Sequence, residues 1–291
     1  VTGLPGGPAK AAGGTQPDID QQIFAGMVSL VARKGQVAHL EACGWQEKET
    51  HQPMALDTIF RIYSMTKPIT SVALMMLCEE GKLSLVDPVS RYVPDFKDAR
   101  VMVARGGSDY DLVPAKREMT IHDLLTHSSG LSYGFDEQSA LDELYRKNFE
   151  RMDKEVEPIL EKRILALAKA KLPLAFQPGT DFRYSISIDI LGYIVQKVSG
   201  QLFEGFLQER IFQPLGMVDT AFHVPAEKAH RLAAVYGPAE KGGIQVIEPA
   251  AGRDDSWPSL GIITSSIAYM HARQAAPEAR ILKLGITYPL P

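Results

Sequence analysis

Cysteine is nearly missing from this chain of 291 residues, with two in all, and tryptophan is as scarce. Two cysteines cannot build a disulfide framework, and Cys43 and Cys78 both fall in apolar patterns, so they read as buried thiols suited to a reducing compartment. Charge of one sign is also lacking. The net charge of −4 leaves no basic footprint for nucleic acid or for an anionic membrane surface. The apolar runs IFAGMVSLVA (Ile23 to Ala32) and SVALMMLC (Ser71 to Cys78) stop well short of the roughly 20 residues that a membrane helix needs. The first stretch, VTGLPGGPAKAAGGTQP, has neither the charged start nor the apolar core of a signal peptide, and reads as a flexible arm over 1–21. A cytoplasmic location is the expectation. What is present is an ordinary globular composition, 45% hydrophobic and 23% charged, with ample material for a core.

Local patterns then place elements. Two apolar, partly alternating runs around Lys34-Gly35 predict a hairpin. Pro68 to Glu80, closed by Gly81, predicts a helix apolar on nearly every side, hence a central one. Val101 to Arg117 reads as a surface loop, and Thr120-Ile-His-Asp123 as the capped start of a short helix through Leu125. Asp136 to Lys171 carries apolar residues at helical spacings, and Ser187 to Ser199, closed by Gly200, predicts a second apolar helix.

One residue breaks the local rules. In RIYSMTKPIT (Arg61 to Thr70), Ser64 is a good helix cap and Pro68 marks the first turn, where its missing N–H costs nothing. The first turn favours an acidic residue, yet it carries Lys67, against the helix dipole by roughly 0.3–1 kcal/mol. Residues three apart share a helix face, so the lysine can reach the serine. Burial and the dipole both disfavour a charged lysine there, and a neutral lysine beside a serine is a general base beside a nucleophile. The Ser-x-x-Lys spacing alone means little, since about one is expected by chance in a chain of this length.

Two rival chemistries are weaker. GLSYG (Gly130 to Gly134) matches a nucleophile elbow at Ser132, but no strand precedes it, so it reads as a turn. His122 and His127 are five apart, without a metal-ligand motif or clustered cysteines, so neither metal nor cofactor is expected.

Longer stretches carry a resemblance. FRIYSMTKPITSVALMMLCEEGKLSLVDPVSRYVPDF, LLTHSSGLSYGF, FQPGTDFRYSISIDILGYIVQKVSG and IFQPLGMVDTAFHVP, in that order, resemble the serine β-lactamase-like superfamily. Within it the likeness is to the family VIII carboxylesterases, relatives of class C β-lactamases and D-alanyl-D-alanine peptidases. The resemblance implies Ser64 as nucleophile, with its backbone N–H in the oxyanion hole, Lys67 as base and Tyr184 as proton relay. The β-lactamase element Tyr-x-Asn reads Tyr184-Ser185-Ile186 here, which resembles the esterase branch.

It further implies an α/β (α+β) fold, an antiparallel sheet flanked by helices with an inserted, mostly helical lobe. The expected division is 22–96 with 240–291 for the α/β region and 97–239 for the lobe. The family's third element, a Lys-Thr-Gly or its glycine variant, has no clear match. Lys241-Gly242-Gly243 comes too early, and beyond SLGIITSSIAYM (Ser259 to Met270) nothing resembles the family, so the C-terminal strands are expected to be missing. The sheet edge this would bare invites a homo-oligomer.

The implied activity is hydrolysis of small short-chain carboxylic esters through an acyl-enzyme, with weak β-lactam turnover compatible with it. The alternatives are a class C-like β-lactamase or D-amino-acid peptidase, or a non-catalytic protein that keeps the fold with an incomplete site.

Overall fold

The computed structural model describes residues 19–21, 23–106, 109–250 and the backbone of 263–265. Most of the N-terminal arm, and the segment after Ser265, lie outside the described residues. The fold is α/β, with antiparallel strand pairs and helices, and divides into two compact units. One comprises residues 1–65, 208–255 and 261–291; the other is mainly the continuous run 66–207.

In the first unit, β1 (Gly26–Arg33), β2 (Gln36–Glu47) and β3 (Gln52–Pro53) form an antiparallel sheet. Its hairpin turns at Lys34-Gly35, with φ of 50° and 76°, the left-handed pair that suits strand twist. The strand β4 (Ile59–Arg61) lies beside Leu232, with Ile59 buried against it, and Ala233 N–H donates to Ile59 O at 2.9 Å. The Arg231 guanidinium forks onto both Asp219 oxygens at 3.1 and 2.6 Å. Burial works against ionising Asp219, but Arg231 and Lys228 outweigh it and hold the carboxyl at about 2.

The second unit is built on helices. Helix α1 (Thr66–Glu79) carries Pro68 in its first turn, as the missing donor requires. It buries one stripe, Thr66, Thr70, Ala73, Leu74 and Leu77, while Val72 and Met75 are exposed. This corrects the expectation of a helix covered on every side: a 3.6-residue period turns only one face to the core. The strands β5 (Arg100–Gly106) and β6 (Asp109–Pro114) form a hairpin where the sequence reads as a loop. Met102 N–H donates to Leu174 O and Leu174 N–H to Arg100 O, at 2.9 and 2.8 Å, and that distant partner leaves no local signal.

Helix α2 (Ile121–Leu125) has a true capping box between Thr120 and Asp123, and Arg117 grips both oxygens of Asp123 at 2.5 and 2.9 Å. Helices α3 (Ala140–Glu155) and α4 (Leu160–Lys169) follow. Helix α5 (Ser187–Ser199) is buried continuously from Ser187 to Val195, packs against α1, α2 and α4, and stops at left-handed Gly200. Each buried Leu or Ile of α1 and α5 contributes about 1.5–3 kcal/mol, so this pairing is the main support of α1. The unit ends in α6 (Phe203–Leu207). Among the described residues no helix is long and apolar enough to cross a membrane.

Thr120→Ala removes the cap of α2, and should lower stability by about 1 kcal/mol in urea denaturation at pH 7. An unchanged midpoint would show that Arg117 alone anchors this corner.

Candidate active site

Strand β4 runs through Ile62 into a 3-10 turn, Tyr63–Met65, and straight into α1. Tyr63 is left-handed at φ 40°, a conformation that costs an L-residue roughly 1–2 kcal/mol. Its hydroxyl donates to Glu248 at 2.8 Å, and Glu248 also pairs with Arg61 at 3.2 Å. These tether both sides of the bend. Ser64 follows, exposed within the turn.

Lys67 stands in the first turn of α1, half-buried. Its ammonium lies 4.6 Å from the centroid of the Tyr184 ring and 5.7 Å from that of Tyr133. A cation over an aromatic face gains about 0.5–1 kcal/mol when exposed and about 2 or more when desolvated. Two such faces match or exceed the dipole cost, which accounts for a lysine at this helix start. The structure thus brings Lys67 and Tyr184 together.

Tyr184 is held by rings. His127 stacks on it at 5.0 Å between centroids and 30° between planes, Tyr133 lies 5.4 Å away, and Phe135 stacks at 6.3 Å. His127 is buried and left-handed at φ 54°. Its Nδ1 accepts the Ser185 backbone N–H at 3.2 Å, so in the neutral ring Nε2 carries the hydrogen. Behind it the hydroxyls of Ser185, Ser187 and Ser129 form a buried chain at 2.7 and 2.9 Å. Burial, and then the charge of Lys67, press His127 down to about 4. At neutral pH it is an uncharged stacking plate.

Tyr133 donates its hydroxyl to Asp189 at 2.9 Å. Burial and then the Asp189 charge push that phenol well above its usual range, so it stays protonated and cannot take up a proton. Tyr133, Phe135, Ile186 and Asp189 also line a cavity of about 610 Å³ whose other walls come from α3 and α4.

Ser132 is no nucleophile elbow. It is buried, donates to Asp142 at 2.6 Å, and accepts from Arg183 and from the Gly134 N–H, both at 3.1 Å. The flanking glycines serve the backbone, at φ 85° for Gly130 and 82° for Gly134. Lys241-Gly242-Gly243 belongs to the turn between β7 (Val235–Pro238) and β8 (Ile244–Glu248). Of Ser259 to Met270 only β9 (Ile263–Ser265) is described, and it pairs antiparallel with β4. Among the described residues no three His, Cys, Asp or Glu side chains converge as a metal site would require.

A model of the Beta-lactamase family matches residues 14–286. The chain belongs to the Beta-lactamase family. It is 35% identical to Esterase EstB of Burkholderia gladioli over 224 residues, 74% of this chain and 51% of that protein. It is 36% identical to Protein Rv1367c of Mycobacterium tuberculosis over 218 residues, 75% of this chain and 52% of that one. Among solved structures it resembles EstCE1, a hydrolase with promiscuous acyltransferase activity, at a TM-score of 0.70 and 27% identity, covering 90% of this chain and 70% of that one. The chain spans about half the length of the curated relatives it matches.

Within this Beta-lactamase family member, His127, Tyr133 and Asp189 escape reading from sequence. His127 draws notice only as half of a weak histidine pair, and Tyr133 only as part of the decoy motif. Their partner Tyr184 is more than fifty residues away.

The His127 imidazole titrates near 6.5 when unfolded and at about 4 when folded. Between those values the unfolded chain binds more protons, so stability should fall as pH drops from about 6.5 toward 4. His127→Asn keeps an acceptor and tolerates the left-handed backbone, and should flatten that slope in urea melts across the window. A parallel slope in the variant would assign the acid sensitivity elsewhere. Ser132→Ala should cost about 1 kcal/mol of stability, because Asp142 loses one donor but keeps Arg183 at 2.7 Å and the Asp136 N–H at 2.9 Å, and it should not abolish probe labelling of the protein.

Proposed function

We propose that this protein is a serine hydrolase of carboxylic esters, with Ser64 as nucleophile, Lys67 as base and Tyr184 as proton relay. The observation that carries the reading is the Lys67 ammonium over the Tyr184 ring at 4.6 Å, one helical turn after Ser64. The family, and the likeness to Esterase EstB and to the hydrolase EstCE1, support it.

Ser64 Oγ attacks the ester carbonyl as Lys67 takes its proton. The ammonium formed is the species that the Tyr184 and Tyr133 faces stabilise. The Ser64 backbone N–H donates to the developing oxyanion. As the C–O bond to the alcohol breaks, the proton passes through the Lys67–Tyr184 pair to the leaving oxygen. Water then attacks the acyl-serine, its proton returns by the same pair to Ser64 Oγ, and the carboxylic acid departs.

The β-lactamase or peptidase alternative is less favoured. The position where those relatives carry an asparagine amide is Ile186, which lines the 610 Å³ cavity with an apolar side chain. That wall suits an alkyl ester better than a peptide-like amide. This reading puts the protein on the same side as Esterase EstB.

A fluorophosphonate probe followed by peptide mapping should label Ser64, and Ser64→Ala should remove the label. Lys67→Ala should lower ester kcat/KM by about 10²–10⁴. Labelling at Ser132, or turnover that survives Lys67→Ala unchanged, would overturn the assignment.

A further inference from the structure

Two cavities lie side by side in the helical unit. The larger, about 610 Å³, has Tyr133 in its lining together with Phe149 of α3 and Leu167 of α4. The smaller, about 270 Å³, is lined by Leu131, Tyr145, Leu167 and Leu174 among others. Leu167 belongs to both linings and is 3% exposed. Tyr145 and Phe149 are one turn apart on α3, with ring centroids 6.2 Å apart, and each faces one cavity. The partition therefore comprises one leucine and one aromatic pair. The aromatic side is fixed, since the Tyr145 hydroxyl donates to Pro173 O at 3.1 Å. Leu167 is held only by packing.

We propose that Leu167 is the end-stop for the aliphatic chain of the substrate, and that the smaller cavity is a latent extension behind it. The inference rests on the ester-hydrolase reading. An unbranched alkyl chain lies in the larger cavity with its ester end toward Tyr133 and the Lys67–Tyr184 pair, and its far end meets Leu167. Each methylene that finds apolar wall raises kcat/KM about fourfold. A methylene that must displace Leu167 gains nothing. Truncating Leu167 joins the two spaces, adding less than half as much room again.

The test compares p-nitrophenyl alkanoates from acetate to dodecanoate, and n-alkyl acetates that lengthen the alcohol instead, each read as a ratio within one variant. For wild type, kcat/KM should climb and then break as the chain lengthens. Leu167→Ala should move the break to longer chains and raise the decanoate-to-butyrate ratio about tenfold or more, and Leu167→Phe should lower it. A shift in either series supports the inference and shows which end of the ester carries the chain. Turnover with an unmoved break in both series overturns it. If Leu167→Ala does not fold, Leu167→Val should shift the break the same way, and its failure to do so counts against the inference.

If wild type hydrolyses no ester, the hydrolase reading fails by itself. Competition of alkanoic acids with a fluorescent fatty acid on Ser64→Ala protein, with and without Leu167→Ala, then decides the cavity question. A length dependence that Leu167→Ala leaves unmoved overturns it there too.

Discussion

One ammonium at the positive end of a helix, set against two aromatic faces, is the constraint on which the candidate site depends. Lys67 opposes the dipole of α1, and the Tyr184 and Tyr133 rings supply the attraction that offsets it. The hydrophobic pairing of α1 with α5 fixes the axis of the helix that carries Lys67.

The rings are in turn held by buried polar contacts. His127 is oriented by the Ser185 N–H and backed by a chain of three serine hydroxyls. Tyr133 is tied to Asp189, and the neighbouring turn is tied through Ser132 and Arg183 to Asp142. Such networks stabilise little on balance, but they are costly to leave half-made, and so they select one arrangement of the rings. The result separates two tyrosines that face the same lysine. Tyr133 is locked as a donor to a carboxylate, while Tyr184 lies nearer the lysine.

Much of the architecture is legible in local sequence. Ser187 to Ser199 with Gly200, Thr120 with Asp123, and Lys34-Gly35 each announce their element, and the structure forms each of them. The β5–β6 hairpin is not legible: its strands pair with each other, and the distant Leu174 adds backbone bonds to β5. Nor does an evenly apolar helix reveal which of its faces meets the core. Val72 and Met75 of α1 are chemically suited to burial and stay exposed.

The same division runs through the site. The sequence by itself determined that a lysine opposes a helix dipole one turn after a serine, since caps, prolines and dipoles act within four residues of backbone. It also argued against a nucleophile elbow, because no strand leads into Ser132. Only the tertiary structure decided that Tyr184 and Tyr133 face Lys67, that a neutral His127 braces Tyr184, and that Leu167 is shared by the walls of two cavities. Those contacts join positions tens of residues apart, and the packing of whole helices, not any local preference, sets the distances between them.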